Sequence, residues 1–389
     1  MTTLSRVAVD PRVLEVLRDH AAKIDAGAAF PTAGMAALAN GGLFGLLVPV
    51  EHGGLGGGVR ELVEVAGQLA GCCLSTALIW AMHCQQTDSI VRYGSPWLRE
   101  QVLPRVARGE LYLASVTTEP GKGGHLLTGV SPLHRDEGGL RLDRDAPVVT
   151  GGEHAQGFLI TMRASDEATE NQLSLVYADR DQLDLVRSGE WNALGMRGTR
   201  SVGLKITGTV PARQVVGEPG GFRQIAVESM APLGHLGWAA CWLGTARGAF
   251  AELVAWLRSD KRSRGIDLRS ELVAERLART RMELELVSGY LNRVTDEIAL
   301  LREEDRSVAG VGTQIHLNTL KVTAAELTFG AVNRMVQLAG LTAGYRVDSA
   351  LPLERHFRDL RSASLNYADD RLLVSSGALA LMDGAVRLA

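Results

Sequence analysis

Few of the residues that would commit a chain to an unusual class are plentiful here. Cysteine is scarce: Cys72, Cys73, Cys84 and Cys241 are the only four in 389 residues. Their spacing forms neither a disulfide framework nor a CxxC metal site. They read as reduced thiols, Cys72 and Cys73 packed in an apolar run, and they point to a cytoplasmic protein. Charge of neither sign dominates, since the net is −3. That gives no reason to expect nucleic acid or an anionic membrane as partner. No apolar run reaches the length of a bilayer span, and the opening MTTLSRVAVD lacks a signal-peptide core. Internal repeats and low-complexity tracts are missing too. What remains, 46% hydrophobic and 22% charged over 389 residues, is a globular composition with room for two or three lobes.

Glycine is abundant and clustered. The stretch Leu111–Gly124, LYLASVTTEPGKGG, reads as a β-branched strand (Val116, Thr117, Thr118) running into a turn of Pro120, Gly121, Gly123 and Gly124. Hydroxyls and bare backbone N–H groups at such a turn suit a flat polar ring or a phosphate, because glycine lets a ligand approach closely. An ordinary strand and turn reads the same way on its own. A second cluster, GGLFGLLVPVEHGGLGGG at 41–58, is a loop with several unusual backbone angles. It is not a dinucleotide fingerprint, since no strand–glycine–helix context with a downstream acid accompanies it.

Periodicity then divides the chain. Val13 to Ala39 reads as helix with a break near Pro31. Helical spacing runs again from Arg60 to Val91, and Ser95–Pro96 starts a short helix that Pro104 is expected to interrupt. From Leu111 to Val216 the pattern is short and alternating, as in VGLKITGTV, where Val202, Leu204, Ile206 and Val210 share one face. Helical spacing returns with the stripe Val273, Leu277, Leu284, Val287, Leu291, Val294, Ile298, Leu301, and continues over 314–338 and 369–388. The expected architecture is α+β: an N-terminal all-helical domain (1–110), a small antiparallel β-domain (111–218) and a C-terminal four-helix bundle (219–389).

Five segments in this order resemble the acyl-CoA dehydrogenase superfamily: GLFGLLVPVEHGGLGG at 42–57, VTTEPGKGG at 116–124, WNALGMRGTRSVGLKITGTVPARQVVG at 191–217, VQLAGLTAGY at 336–345 and LPLERHFRDLRSA at 351–363. The resemblance covers nearly the whole chain. It implies bound FAD between the β-domain and the bundle, an acyl thioester substrate on CoA or a carrier protein, and a homo-oligomer, dimer or tetramer. It implies that Thr118 and Thr150 meet the flavin ring, that Gly123 and Gly124 form the turn near its phosphates, and that Gln337 and Gly340 meet the pyrophosphate of an adjoining subunit. Arg262 and Arg264, in KRSRG, stand where the family's Arg-x-x-Phe-Gly holds phosphates; a solvated basic loop is the alternative. Val148 replaces the aromatic residue that often packs on the flavin.

The catalytic carboxylate is the largest departure. Its slot after the RDxR segment holds Tyr367, and its alternative slot holds Gly234, followed by His235. Abstracting a weakly acidic α-proton needs a desolvated, well-placed base. Asp369, Asp370 or Glu228 are candidate relocated bases, with His235 beside the alternative slot, although an Asp at 369 or 370 also suits a helix N-cap. Tyr367 is a candidate hydrogen-bond donor to the thioester, or a packed aromatic. His83 is expected to be a core histidine. Three functions stay open: oxidation of an acyl or aminoacyl thioester, a monooxygenase using reduced flavin and oxygen, and a scaffold that binds no FAD.

Overall fold

The computed structural model describes residues 8–121, 125–262 and 265–386. Five helices come first: α1 (Pro11–Gly27), α2 (Thr32–Asn40), α3 (Val59–Ala70), α4 (Leu74–Tyr93) and α5 (Pro96–Ala107). Their starts are written locally. The Asp10 carboxylate accepts from the Arg12 N–H, and Ser95 Oγ accepts from the Leu98 N–H at 3.2 Å, each just ahead of a proline at the first helical position. The helical run from Arg60 is divided at Gly71–Cys73. Helix α5, by contrast, does not stop at Leu103 but runs through Pro104 to Ala107. An interior proline costs about 3 kcal/mol. Burying Leu98, Val102, Leu103 and Val106 outweighs that, at roughly 1.5–3 kcal/mol per side chain.

Eight strands follow: β1 (Leu113–Val116), β2 (His134–Asp136), β3 (Gly139–Ala146), β4 (Gly157–Arg163), β5 (Leu173–Asp179), β6 (Leu183–Arg187), β7 (Leu204–Val210) and β8 (Val215–Val216). They form two four-stranded sheets, ordered β1-β4-β5-β8 and β2-β3-β7-β6. The pairing is antiparallel except between β1 and β4, which run parallel. That exception follows from connectivity: the chain visits the other sheet through β2 and β3 before returning beside β1, and a parallel pair requires such a crossover. In β3 the inward positions are Leu140, Leu142, Arg144 and Ala146, so a buried arginine sits on an otherwise apolar face.

The chain ends in α6 (Phe222–Ile225), a π-helical turn (Ala226–Met230), α7 (Ala231–Leu257), α8 (Glu271–Glu303), α9 (Val311–Gly340), a second π turn (Leu341–Tyr345), α10 (Leu353–Leu360) and α11 (Asp369–Ala380). The long helices α7, α8 and α9 pack on one another, with α3 against α7 and α11 against α9. The α8 stripe is buried as its spacing demands, with Leu277 only partly so. Gly244 lets α7 approach α3 so closely that a Cβ there would strike the Gly67 backbone. From α8, Arg302 reaches across to Asp88 of α4 with two hydrogen bonds of 3.0 Å and donates to the Glu228 carbonyl at 3.1 Å. Among the described residues no helix is long and apolar enough to cross a membrane.

Candidate functional site

Strand β1 delivers Thr118 to a ledge on the β-sheet lobe. Its Oγ1 donates to the Val148 carbonyl at 2.9 Å and accepts from the Val148 N–H at 3.3 Å. The Val148 side chain itself is 40% exposed. Two residues on, Thr150 Oγ1 lies 3.0 Å from Ser201 Oγ, and Tyr112 Oη donates to the Thr150 carbonyl at 2.8 Å. The ledge therefore carries two half-buried hydroxyls around an open apolar side chain.

A buried ion pair braces it from beneath. Arg144 pairs with Glu119, and its Nη2 donates to the Thr118 carbonyl at 3.0 Å. The same Glu119 carboxylate accepts from the Val130 and Ser131 N–H groups, both at 2.9 Å. One side chain thus fixes the residues that enter and leave the glycine turn. Burial lowers the Arg144 pKa to about 10, with Glu119 opposing the shift, so the guanidinium remains charged. Gly123 and Gly124 lie outside the described residues, as does Arg264.

His83 is the core histidine expected of it, and its surroundings define its tautomer. The Leu113 N–H donates to Nδ1 at 3.0 Å, so the proton is on Nε2, which faces the Phe44 carbonyl at 3.2 Å. Burial lowers its pKa to about 4 and keeps it neutral. It joins α4, the start of β1 and the glycine-rich loop at 41–58.

A cavity of about 820 Å³ opens between His125–Leu127, the first π turn, α7, α9 and α11. Its polar wall includes Tyr367, His235, Glu228, Asn318 and Arg371. Tyr367 has a φ of +52°, the left-handed region that side chains rarely enter. Burial raises its pKa, so the phenol stays protonated and acts as a donor. The His235 ring lies 6.0 Å from the Tyr367 ring. Its Nδ1 is buried without a hydrogen-bond partner. Burial, then the charge of Lys321, lowers the His235 pKa to about 3, which makes it neutral. Glu228 faces the same cavity, but its carboxylate accepts from Ser307 Oγ and, at 3.0 Å, from the Val308 N–H. A Cβ at Gly234 would lie 2.6 Å from Gln85 Nε2, so a carboxylate there requires the Gln85 side chain to move.

The other sequence candidates are placed elsewhere. Asp369 is not on the cavity wall. It opens α11, and its Oδ1 lies 2.5 Å from the buried Lys321 Nζ. Lys321 also donates to the Ala363 carbonyl at 3.0 Å and sits 5.5 Å from the centre of the Trp242 ring. Burial raises the Asp369 pKa and lowers that of Lys321, while each partner opposes the shift of the other. Arg262 donates from Nη1 to the Leu257 carbonyl at 2.8 Å, closing the C-terminus of α7. Gln337 is exposed on the last turn of α9, and Gly340 adopts a φ of +74° where the second π turn begins. None of these three lines the cavity.

Sequence reasoning missed Asn318 and Arg371. The signal for the first was available: Gln314 and Asn318 recur at helical spacing and both line the cavity. Arg371 follows Tyr367 by four residues. Two of the motif segments also meet, since Asp359 of α10 accepts from the Met196 N–H at 2.5 Å. Trp191 Nε1 and Thr199 Oγ1 both donate to the Met196 carbonyl, at 2.9 and 2.8 Å. Burial raises the Asp359 pKa to about 7. Among the described residues no cluster of three or more His, Cys, Asp or Glu forms a metal site.

The acyl-CoA dehydrogenase N-terminal domain model matches residues 6–110, and the acyl-CoA dehydrogenase C-terminal domain model matches residues 236–367. The chain belongs to the acyl-CoA dehydrogenase superfamily. This is a family of flavoprotein oxidoreductases whose usual cofactor is FAD. The acryloyl-CoA reductase (NADH) of Anaerotignum propionicum is 25% identical over 92% of this chain and 86% of its own length. The cyclohex-1-ene-1-carbonyl-CoA dehydrogenase of Syntrophus aciditrophicus is 28% identical over 54% of this chain, a match that spans 50% of that relative. The fold is shared with TdsC from Paenibacillus sp. A11-2, solved with FMN and indole (TM-score 0.85, 20% identity, 97% of this chain and 99% of that one). It is shared equally with the prolyl acyl carrier protein oxidase AnaB (TM-score 0.81, 18% identity, 95% and 96%).

Proposed function

We propose that this member of the superfamily is an FAD-dependent oxidoreductase that oxidises an acyl or aminoacyl thioester, by α,β-desaturation or a related step. The observation that carries the reading is the cavity, which has Tyr367 on its wall in the family's carboxylate slot. Its volume is in the range of sites that enclose small organic ligands. It also speaks against a scaffold that binds nothing. The ledge fits the cofactor, with Thr118 and Thr150 offering hydroxyls and Val148 an uncovered apolar surface. When bound, FAD supplies the two-electron acceptor.

The chain's own groups have narrower tasks. Tyr367, kept protonated by burial, donates to the thioester oxygen and stabilises negative charge there as the α-carbon loses its proton. Glu228 is the only carboxylate among the described lining residues. Its hydrogen bonds from Ser307 Oγ and the Val308 N–H hold that carboxylate in place on the wall. Asp369 is assigned to the Lys321 ion pair rather than to chemistry. We place the carrier, CoA or a carrier protein, toward His125–Leu127.

The test begins with a visible spectrum. The purified protein is expected to be yellow and to be bleached anaerobically by an acyl thioester. Tyr367→Phe is expected to slow bleaching by about 100-fold, the usual effect of deleting one oxyanion donor. The restraint on the one carboxylate among the described lining residues favours a second reading, oxygenation by reduced flavin. That reading replaces the first if thioesters leave the flavin oxidised and turnover needs supplied reduced flavin and oxygen.

A further inference from the structure

Tyr367, Arg371 and Asn318 share the cavity wall. A pair behind the wall sets them there: Lys321, one turn after Asn318 on α9, bonds Asp369, two residues before Arg371 on α11. Arg371 is half-buried and has neither a hydrogen bond nor an ion pair among the described residues. Its Nη1 is closed off from water, which leaves Nε and Nη2 as the nitrogens a ligand can reach. Asn318 is 7% exposed, and its carboxamide also has no partner among the described residues. The Tyr367 hydroxyl, protonated through burial, is likewise unbonded among them. Three groups that can donate therefore stand together, one of them a permanent cation. No carboxylate of the wall answers them: Glu228 has both oxygens engaged, by Ser307 Oγ and the Val308 N–H. Arg223, the other lining arginine, is exposed and so solvated.

We propose that the cavity takes an acyl group ending in a carboxylate, a short dicarboxylic monothioester, with Arg371 and Asn318 as the specificity-determining residues that hold the free carboxylate. The inference rests on the thioester reading above and narrows its substrate class. Nε and Nη2 lie along one edge of a guanidinium, and a carboxylate takes both at once, as Glu110 does from Arg108 on the surface of this chain. Its remaining lone pairs accept from the Asn318 carboxamide. A plain alkyl end would shield Arg371 and Asn318 from water with no bond in return, and an unsatisfied buried polar group is costly. An ammonium would meet Arg371 as a like charge. Arg371 acts on Tyr367 through its charge, so the two lie close, and the spacer between thioester and carboxylate is short.

Calorimetric titration of the flavin-loaded protein decides the matter, with the flavin first reduced by dithionite so that no thioester is oxidised during binding. The probes are succinyl-CoA and glutaryl-CoA, their neutral isosteres with a terminal carboxamide, and 4-aminobutanoyl-CoA. At least one of the acids is expected to bind about tenfold more tightly than its carboxamide, the margin of a charge-assisted pair over a neutral one. Arg371→Met is expected to erase that ratio, and Asn318→Leu to reduce it. Arg371→Lys, which keeps the charge without the fork, is expected to retain part of it. Equal or tighter binding of both carboxamides by the wild type overturns the proposal, whatever the variants do. So does a preference that survives in Arg371→Met, or tighter binding of the amine. Loss of flavin from Arg371→Met also overturns it, since the guanidinium then serves the phosphates of the cofactor. If no acyl thioester binds at all, the thioester reading fails and takes this inference with it. Binding of acids and carboxamides without discrimination removes the inference alone.

Discussion

Glu119 holds more of the site together than any other single side chain described. Its carboxylate neutralises Arg144 and ties Val130 and Ser131 to the end of β1. Replacing it with glutamine leaves a guanidinium fully buried without a counter-charge. Breaking one side of a buried pair costs about 3–5 kcal/mol. Glu119→Gln is therefore expected to lose a large part of the protein's stability in urea titrations. It is also expected to release flavin more readily than wild type, because Arg144 positions the Thr118 carbonyl. At this scale the sequence was informative wherever a motif fixed the neighbours. Thr118, Thr150 and Tyr367 could be named as candidates because they sit at set distances from glycine turns or from the RDLR segment, and of the three Tyr367 lines the cavity. Arg144 was not, because one arginine on an alternating strand looks like an outward-facing position until the register is known. The ion pair of Asp369 was not legible for a related reason: its partner Lys321 is 48 residues away, and no local pattern announces such a pair.

Between elements, the contact of α9 with α11 depends on that pair. Lys321 and Asp369 are both nearly dry, and the ammonium is also satisfied by Ala363 and faced by Trp242. Lys321→Met alone strands a carboxylate, and Asp369→Leu alone strands an ammonium. Each is expected to be strongly destabilising, whereas the double substitution is expected to recover most of the loss, as buried pairs replaced by apolar side chains often do. A thermodynamic cycle from denaturant midpoints measures the coupling. An unchanged flavin-reduction rate in the double variant would separate Asp369 from the chemistry. Element boundaries were legible where caps declare them, at Asp10–Pro11 and Ser95–Pro96. They were not legible where burial overrides propensity, as in α5 beyond Pro104, or where connectivity decides direction, as in β1 beside β4.

For the molecule as a whole, acid is expected to be the weak side. His83, with its pKa lowered to about 4, and His235 and His356, lowered to about 3, are neutral in the fold because burial disfavours their charged forms. Once unfolded they bind protons below about 6.5. Their contribution is therefore complete above that pH and is lost progressively as it falls toward 4. Asp359 acts in the opposite sense. Its raised pKa, about 7, favours the fold at low pH and loses that advantage as pH climbs from 4 to 7. Asp369 and Glu252, raised by burial, act with Asp359, and His154, lowered by burial, acts with the other histidines. The large shifts of the three buried histidines leave a net loss in acid. Urea midpoints are expected to fall between pH 6.5 and 4, and Asp359→Asn is expected to steepen the fall by removing the opposing contribution.

Cys72, Cys73, Cys84 and Cys241 are all free and all buried, divided between the N-terminal helices and α7. The folded chain consequently hides its thiols from alkylating reagents, and any molecule that reacts has already opened. The protein so carries an inbuilt gauge of its own unfolded fraction, spread across both sides of the contact between α3 and α7, without a label having to be introduced.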